Sequence, residues 1–512
     1  MVTLMNRFRF AVIFLLLSVS GFSQETDFMK NKHRPQFHFS PKRFWMNDPN
    51  GMVYYQGVYH LFFQYYPKKT VWGPMHWGHA TSKNMIRWKE EPIALYPDSL
   101  GYIFSGSIVI DFDNTSGLAK NGKPPMIAIF THHQDSLEKL KQNNHQYQSL
   151  AYSLDEGKTW IKYAGNPVLK SPGIPDFRDP KVMWYEPAKK WIMTLAVKDR
   201  IHFYSSPDLK KWTLLSEFGQ NFGAHGGVWE CPDLFQLPYE GGQKWVLLVS
   251  INPGAPNGGS ATQYFTGEFD GNKFNPTDTL TRWMDYGPDN YAGVTFSNTG
   301  NRRILIGWMS NWDYGMEVPT TQWRSAMTLP RELGLINIAG KPILTSNPVP
   351  ETSILGVNGS QGEDIVHLKK SAQRGKEYKA PSLKINGIYN LGAKLKAGSK
   401  NLYKLSFEAE SNRSVAVILS NNVSQQVTIG YDHEKNEFYI DRTASGQQTF
   451  NNVFFKRSVA HRNSNNKKIK MNLFIDHASV ELFADDGSTV MTAVFFPDEN
   501  FSKVGVETHG TV

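Results

Sequence analysis

The chain has 512 residues, 40% hydrophobic and 13% aromatic, enough for two or more domains with buried cores. Its formal charge of +9 is spread along the sequence rather than gathered into a basic tract, which argues against a nucleic-acid partner. No stretch reaches the ~20 apolar residues of a membrane span, and the single cysteine, Cys231, excludes an internal disulfide.

Residues 1–23 read as a secretory signal. Arg7 and Arg9 form its basic start, Phe10 to Val19 its apolar centre, and Ser20-Gly21-Phe22-Ser23 a small-residue exit. The expected destination is therefore outside the cytoplasm, periplasmic or extracellular. The 14 Trp and 22 Tyr suit flat sugar rings, although large β-rich cores account for most of them.

After a polar lead-in (24–41), pairs of apolar runs recur. Gly51 to Tyr55 leads through Gln56-Gly57 into Val58 to Tyr65. Second runs of the same kind begin at Met126, Trp191, Trp245 and Ile304, preceded by Ser107–Ile110, Val182–Tyr185, Leu234–Leu237 and Val294–Phe296. Five such units predict a five-bladed β-propeller, over 32–340. Three segments, Ser82 to Trp88, Ser153 to Trp160 and Ser206 to Trp212, share a Ser, an Asn or Asp two residues later, and a closing Trp. They are expected to be hairpin corners whose Trp packs between blades. Around Pro330 to Pro350 the pattern lapses into what reads as a Pro/Gly-rich linker. From 350 to 512, short strands and the hairpin signal Asp486-Gly487 predict a C-terminal β-sandwich, so the fold class is all-β.

Three acids recur in similar settings: Asp48 in Trp45-Met46-Asn47-Asp48-Pro49-Asn50-Gly51, Asp179 in Arg178-Asp179-Pro180, and Glu230 in Glu230-Cys231-Pro232. Each has a proline within two residues and opens an apolar run. Innermost strands of a propeller all start at one mouth, so these acids should converge there, with Phe104-Ser105-Gly106-Ser107 and Asp289-Asn290-Tyr291-Ala292 beside them. Paired carboxylates at such a mouth suit glycoside cleavage. Glu230, between Trp229 and Cys231, is the expected proton donor. Asp48, among Asn47, Asn50 and turn amides, should stay ionised as nucleophile. Asp179 beside Arg178 should stay charged and hold sugar hydroxyls.

These motifs resemble the three defining motifs of glycoside hydrolase family 32, which comprises invertases, inulinases and levanases. Further matching segments are Phe63-Gln64-Tyr65, Trp72 to Ala80, Phe104 to Ser107, Met327 to Leu333 and, in the second domain, Asp476 to Phe483. The resemblance implies a retaining β-fructofuranosidase without metal or cofactor, acting on fructans (levan, inulin), fructo-oligosaccharides or sucrose. It implies Asp48 as nucleophile, Asp179 as transition-state stabiliser and Glu230 as acid/base. Asn47, Gln64, Trp72, Phe104 and Ser105 would line the pocket for the terminal fructosyl ring, with Arg178 and Trp45 beside it. The chain departs from the family pattern at Asp289-Asn290-Tyr291-Ala292, where relatives often carry an aromatic after the Asp.

Plainer readings apply elsewhere. Cys231 is expected to pack beside the acid rather than react, and His60, His76, His79, His132 and His133 lack metal-ligand spacing. The Ser153 to Trp160 pattern also fits a sialidase-like enzyme, and a non-catalytic sugar-binding protein is a further alternative.

Overall fold

The apolar pairs fold as antiparallel hairpins, and these extend into five successive sheets arranged as a β-propeller, with a β-sandwich after it. The computed structural model describes residues 33–356, 365–367, 387–390, 403–446 and 449–509; the expected signal segment lies outside them. The innermost strands of blades 1 to 5 are Phe44–Tyr55, Tyr102–Ile110, Phe177–Tyr185, Val228–Tyr239 and Tyr291–Thr295. Their hairpin partners are Val58–Tyr66, Met126–His133, Lys190–Val197, Gly242–Asn252 and Ile304–Met309. Apolar side chains from neighbouring sheets meet between blades, as Val53, Phe62 and Trp77 do with Ile108 and Phe130. The ring closes where Trp323–Arg324 pairs in parallel with Phe44 and Trp45.

The innermost strands start earlier than the apolar runs indicate, so all three acids lie inside strands. At the same level, every innermost strand carries one residue more than its partner. Two residues face one between Met46 and Pro49, Ile103 and Gly106, Arg178 and Lys181, Glu230 and Asp233, and Tyr291 and Val294. Such bulges bend a strand and re-aim its side chains. Asp179, Cys231 and Ala292 take positive φ at these points. Gly106 is required in blade 2, because a Cβ there would stand 2.2 Å from the Ile129 carbonyl oxygen. Beyond the bulges, Asp233 plugs the axis, accepting from the Thr295 amide at 2.6 Å and pairing with Lys181 at 3.3 Å.

The three Ser/Trp corners form as expected, each between the third and fourth strands of blades 1 to 3. Asn84, Asp155 and Asp208 each accept amide hydrogens of their own turn. Trp160 of blade 2 packs edge-on against Phe62 of blade 1. The expected linker is not one. Arg331–Ile338 and Lys341–Pro348 are the outer hairpin of blade 5, with Leu333 and Leu344 in its core. Pro342 and Pro348 sit on the outermost strand, where a missing amide hydrogen breaks no ladder.

In the sandwich, Ser479–Ala484 and Thr489–Val494 form the hairpin that Asp486-Gly487 signalled, with Asp485, Asp486 and Gly487 all at positive φ. The junction with the propeller is a buried ionic network. Arg331 donates to Asp285 at 2.8 Å and, through Nε, to Glu481 at 3.0 Å. Arg442 donates to Asp289 at 2.7 Å, and Asp289 also accepts from the Val494 amide at 2.9 Å. His38 bridges Asp476 and Glu481 at 2.9 and 2.7 Å. Burial alone would lower the His38 pKa, but the two carboxylates outweigh it and hold it at about 9, so the ring is charged near neutrality. Its contribution to stability is complete below its ordinary value of 6.5 and is lost as pH rises through about 9.

Breaking a buried pair leaves an uncompensated charge, so Arg331→Met should cost about 3–5 kcal/mol in denaturant unfolding. Arg302→Met, at a pair 31% exposed on the arginine side, should cost about 1 kcal/mol or less. Equal losses would show that the junction network adds nothing.

Candidate active site

At or beside these bulges the innermost strands carry Asp48, Ser105, Asp179, Glu230 and Tyr291, and hydrogen bonds link them across blades. Asp48 is half-buried and accepts from Ser105 Oγ at 2.7 Å through Oδ2 and from Asn47 Nδ2 at 3.1 Å through Oδ1. Asn47 is in turn fixed by the indole N–H of buried Trp45 at 2.7 Å. Asp179 is 5% exposed and accepts the Cys231 amide at 3.1 Å. Its own amide donates to Thr131 Oγ1 at 3.0 Å. The Cys231 thiol reaches both acids, with Sγ 3.5 Å from Asp48 Oδ2 and 3.6 Å from Asp179 Oδ2. Glu230 accepts from Arg178 Nη2 at 2.9 Å through Oε1, and from the Tyr291 hydroxyl through Oε2.

Crowding of like charges out of water shifts these groups together. Burial, then the charge of Glu230, pushes the Asp48 carboxyl above its ordinary range, against donations from Ser105, Asn47 and Cys231. Burial likewise lifts Asp179, to about 7; Arg178 opposes the rise while Glu230 and Asp48 add to it. Asp48 and Asp179, the two acids expected to stay ionised, are thus the ones whose carboxyls the site raises. One expectation is corrected here. Trp229, expected to desolvate Glu230, points the other way: adjacent strand residues alternate faces, and its indole donates to the Ala224 carbonyl inside the blade core.

Of the other expected residues, Phe104 and Trp72 meet edge to face at 6.0 Å, and Phe104 stacks on His133 at 4.2 Å. Gln64 is buried and donates to Asn50 Oδ1 at 2.7 Å, holding the turn after Asp48. Arg178 forks between Glu230 and Asp176 rather than onto Asp179. What the arrangement offers is a carboxylate cluster where the innermost strands meet, with aromatic rings and hydroxyl and amide donors beside it.

The family model for the N-terminal domain of glycosyl hydrolases family 32 matches residues 38–348, and that for its C-terminal domain matches 367–512. The chain belongs to glycosyl hydrolase family 32. It is 43% identical to a levanase of Bacillus subtilis over 97% of this chain and 71% of that protein. It is 40% identical to an extracellular exo-inulinase of Aspergillus niger over 91% of this chain and 90% of that one. Among solved structures, exo-inulinase from Aspergillus awamori superposes with a TM-score of 0.82 at 35% identity, covering 94% of this chain and 96% of that one. A β-fructofuranosidase from Schwanniomyces occidentalis, complexed with fructosyl-erythritol, gives 0.80 at 33%, covering 93% and 94%. The protein is thus a glycosidase, and the sialidase-like and non-catalytic alternatives fall away.

In this family 32 site, Tyr291 and Thr131 take parts that sequence reasoning did not assign, while Cys231 packs beside the acids as expected and also reaches two of them. Tyr291 stood in the segment noted as a departure, and its place between the polar mouth and the blade core was the available signal. Burial and then the Glu230 charge raise its phenol well above the ordinary value, so it remains a donor. Among the described residues, one cluster has metal-ligand residue types: His133, Glu138 and His145. It does not fit a metal. Gln146 Oε1 takes the Phe177 amide at 2.9 Å, which turns its NH2 onto His133 Nδ1 at 3.2 Å. The His133 proton therefore sits on Nε2, facing Glu138 at 3.2 Å, where a ligating lone pair would be needed.

Cys231 is 4% exposed, and burial followed by the neighbouring acids raises its thiol well above the ordinary value. Iodoacetamide at pH 8 should label the native protein at least about tenfold more slowly than the urea-unfolded chain, because the thiolate is the reacting form. Equal rates, followed by mass spectrometry, would contradict this geometry.

Proposed function

We propose that this family 32 protein is an exported, retaining β-fructofuranosidase that releases fructose from the ends of fructans (levan, inulin), and from fructo-oligosaccharides or sucrose. The levanase and extracellular exo-inulinase relatives support the substrate class and the export. The observation that carries the mechanism is the gathering of Asp48, Asp179 and Glu230 around one thiol and one arginine, at bulges of three different blades.

Asp48 attacks the anomeric carbon, Glu230 protonates the departing oxygen and then activates water, and Asp179 accepts sugar hydroxyls as positive charge develops. The charge of Glu230 raises both Asp48 and Asp179, so the proton that Glu230 carries in the acid's role would relieve the two together. Ser105, Asn47 and Cys231 then stabilise the ionised nucleophile by donation. Phe104 and Trp72 supply an apolar wall against which a ring can rest.

Asp48→Ala and Glu230→Ala should each lower fructose release from levan, inulin and sucrose by at least about 10³-fold with an unchanged circular dichroism spectrum. Wild-type-like rates from both variants would end the proposal. The pH dependence follows from Asp179, whose carboxyl is raised to about 7 and so holds a proton below that pH and is charged above it. Because the stabiliser acts in its charged form, kcat/KM should rise as pH rises through about 7, and a rate flat between pH 5 and 8 would contradict it.

A further inference from the structure

The innermost strand of blade 3, Phe177–Tyr185, pairs with Lys190–Val197 along one edge, and its other edge has no strand of the sheet beside it. Backbone groups on that edge need partners from elsewhere. Blade 2 supplies them as side chains. Gln146 Oε1 takes the Phe177 amide at 2.9 Å, and Gln148 Nε2 donates to the Phe177 carbonyl at 2.9 Å. Thr131 Oγ1 accepts the Asp179 amide at 3.0 Å. Ser107 Oγ donates to the Pro180 carbonyl and accepts the Val182 amide, both at 3.0 Å. All four side chains are at most 5% exposed, so bulk water does not replace a bond lost here.

The direction of each bond is fixed. Thr131 on the second strand of blade 2 stands opposite Gln148 on the third. The Gln148 NH2 is committed to the Phe177 carbonyl, so its Oε1 receives the Thr131 hydroxyl hydrogen at 2.6 Å. That leaves the Thr131 oxygen as acceptor for the Asp179 amide. The circuit therefore starts and ends on one strand, two residues apart, and closes around the first residue of the bulge. Asp179 stands there at φ 65, a backbone conformation that persists only where the surroundings over-determine it. Blade 2 thus grips its main chain, while its carboxylate accepts the Cys231 amide of blade 4 at 3.1 Å.

We propose that Thr131 and Gln148 are positioning residues for Asp179, fixing its left-handed backbone so that its carboxylate stays on the Cys231 amide and in reach of the reacting sugar. The proposal rests on the β-fructofuranosidase reading above, with Asp179 as stabiliser, and adds how blade 2 aims that acid. Neither residue bonds to Asp48 or Glu230, so its effect on the chemistry runs through Asp179.

The test compares wild type with Thr131→Val, which keeps the shape and removes the hydroxyl, and with Thr131→Ser, which keeps the hydroxyl, on levan, inulin and sucrose. Thr131→Val should lower kcat at least about tenfold on all three with KM within about twofold, because the stabiliser acts in the transition state. Thr131→Ser should recover most of that loss. The charges facing Asp179 are Arg178, Glu230 and Asp48, with the Cys231 thiol beside them, and Thr131 bonds to none of these groups. A carboxyl that loses the Cys231 amide is harder to ionise. The rise of kcat/KM near pH 7 should therefore move up by at least about 0.5 pH units in Thr131→Val and stay in place in Thr131→Ser. Should Thr131→Val not fold, Gln148→Glu carries the test. Its carboxyl can donate to the Phe177 carbonyl only while protonated, so activity relative to wild type should fall at least about fivefold from pH 5 to 8. An unchanged kcat in Thr131→Val, a lower kcat with the pH midpoint unmoved, or a constant Gln148→Glu ratio would mark a packing role and overturn the proposal. Wild-type protein releasing no fructose from any of the three would overturn the underlying reading, and this proposal with it.

Discussion

One extra residue at the same level of each innermost strand is the constraint on which the site depends. A regular strand would place successive side chains alternately on its two faces, and a carboxylate facing the axis would have neighbours buried between blades. The bulge breaks that alternation for two residues. Asn47 and Asp48, Phe104 and Ser105, Asp179 and Pro180, Cys231 and Pro232, and Ala292 and Gly293 are the residues so released. Five blades supply one bulge each at one height, which turns five remote segments into a single polar floor. The plug of Lys181, Asp233 and Thr295 below it closes the axis and keeps the cluster in a funnel rather than a channel.

Desolvation and repulsion then act on what the bulges assemble. Acids brought this close cannot all ionise freely, and the geometry answers with donors of four kinds: the Ser105 hydroxyl, the Cys231 thiol, the Cys231 amide and the Arg178 guanidinium. The sandwich is joined to the same blade that supplies Tyr291. Asp285 and Asp289 lie just before Tyr291 in the chain and are bound to Arg331 and Arg442, and Gly287 between them leaves no room for a Cβ against the Thr492 amide. The approach of blade 5 to the site is therefore held from the far side of the junction.

Much of this was legible in the sequence, and for physical reasons. Paired apolar runs show directly as periodicity, so the propeller and the late hairpins could be read. A proline after an acid inside a strand is the trace of a bulge, because it cannot donate to a ladder; Asp48-Pro49 and Asp179-Pro180 carried that trace. Register was not legible, which is why the acids were expected before the strands instead of within them. The hairpin Arg331 to Pro348 was misread because prolines on an outermost strand look like a linker. The segments Met327 to Leu333 and Asp476 to Phe483, conspicuous as family signatures, turn out to meet each other through Arg331 and Glu481 at the domain junction. That pairing joins residues remote in sequence, and no local pattern announces it.

The central claim is that the bulges present Asp48 and Glu230 to opposite sides of one glycosidic bond. A crystal structure of the Asp48→Asn variant with a bound fructo-oligosaccharide, alongside the wild-type protein, tests it most directly. The account predicts a terminal fructosyl ring at the funnel floor, its anomeric carbon facing position 48 and its bridging oxygen within hydrogen-bond reach of Glu230. The wild-type carboxyl groups should stand about 5–5.5 Å apart. A sugar seated away from the bulges, or a separation of about 6.5–9.5 Å as in inverting enzymes, would contradict it.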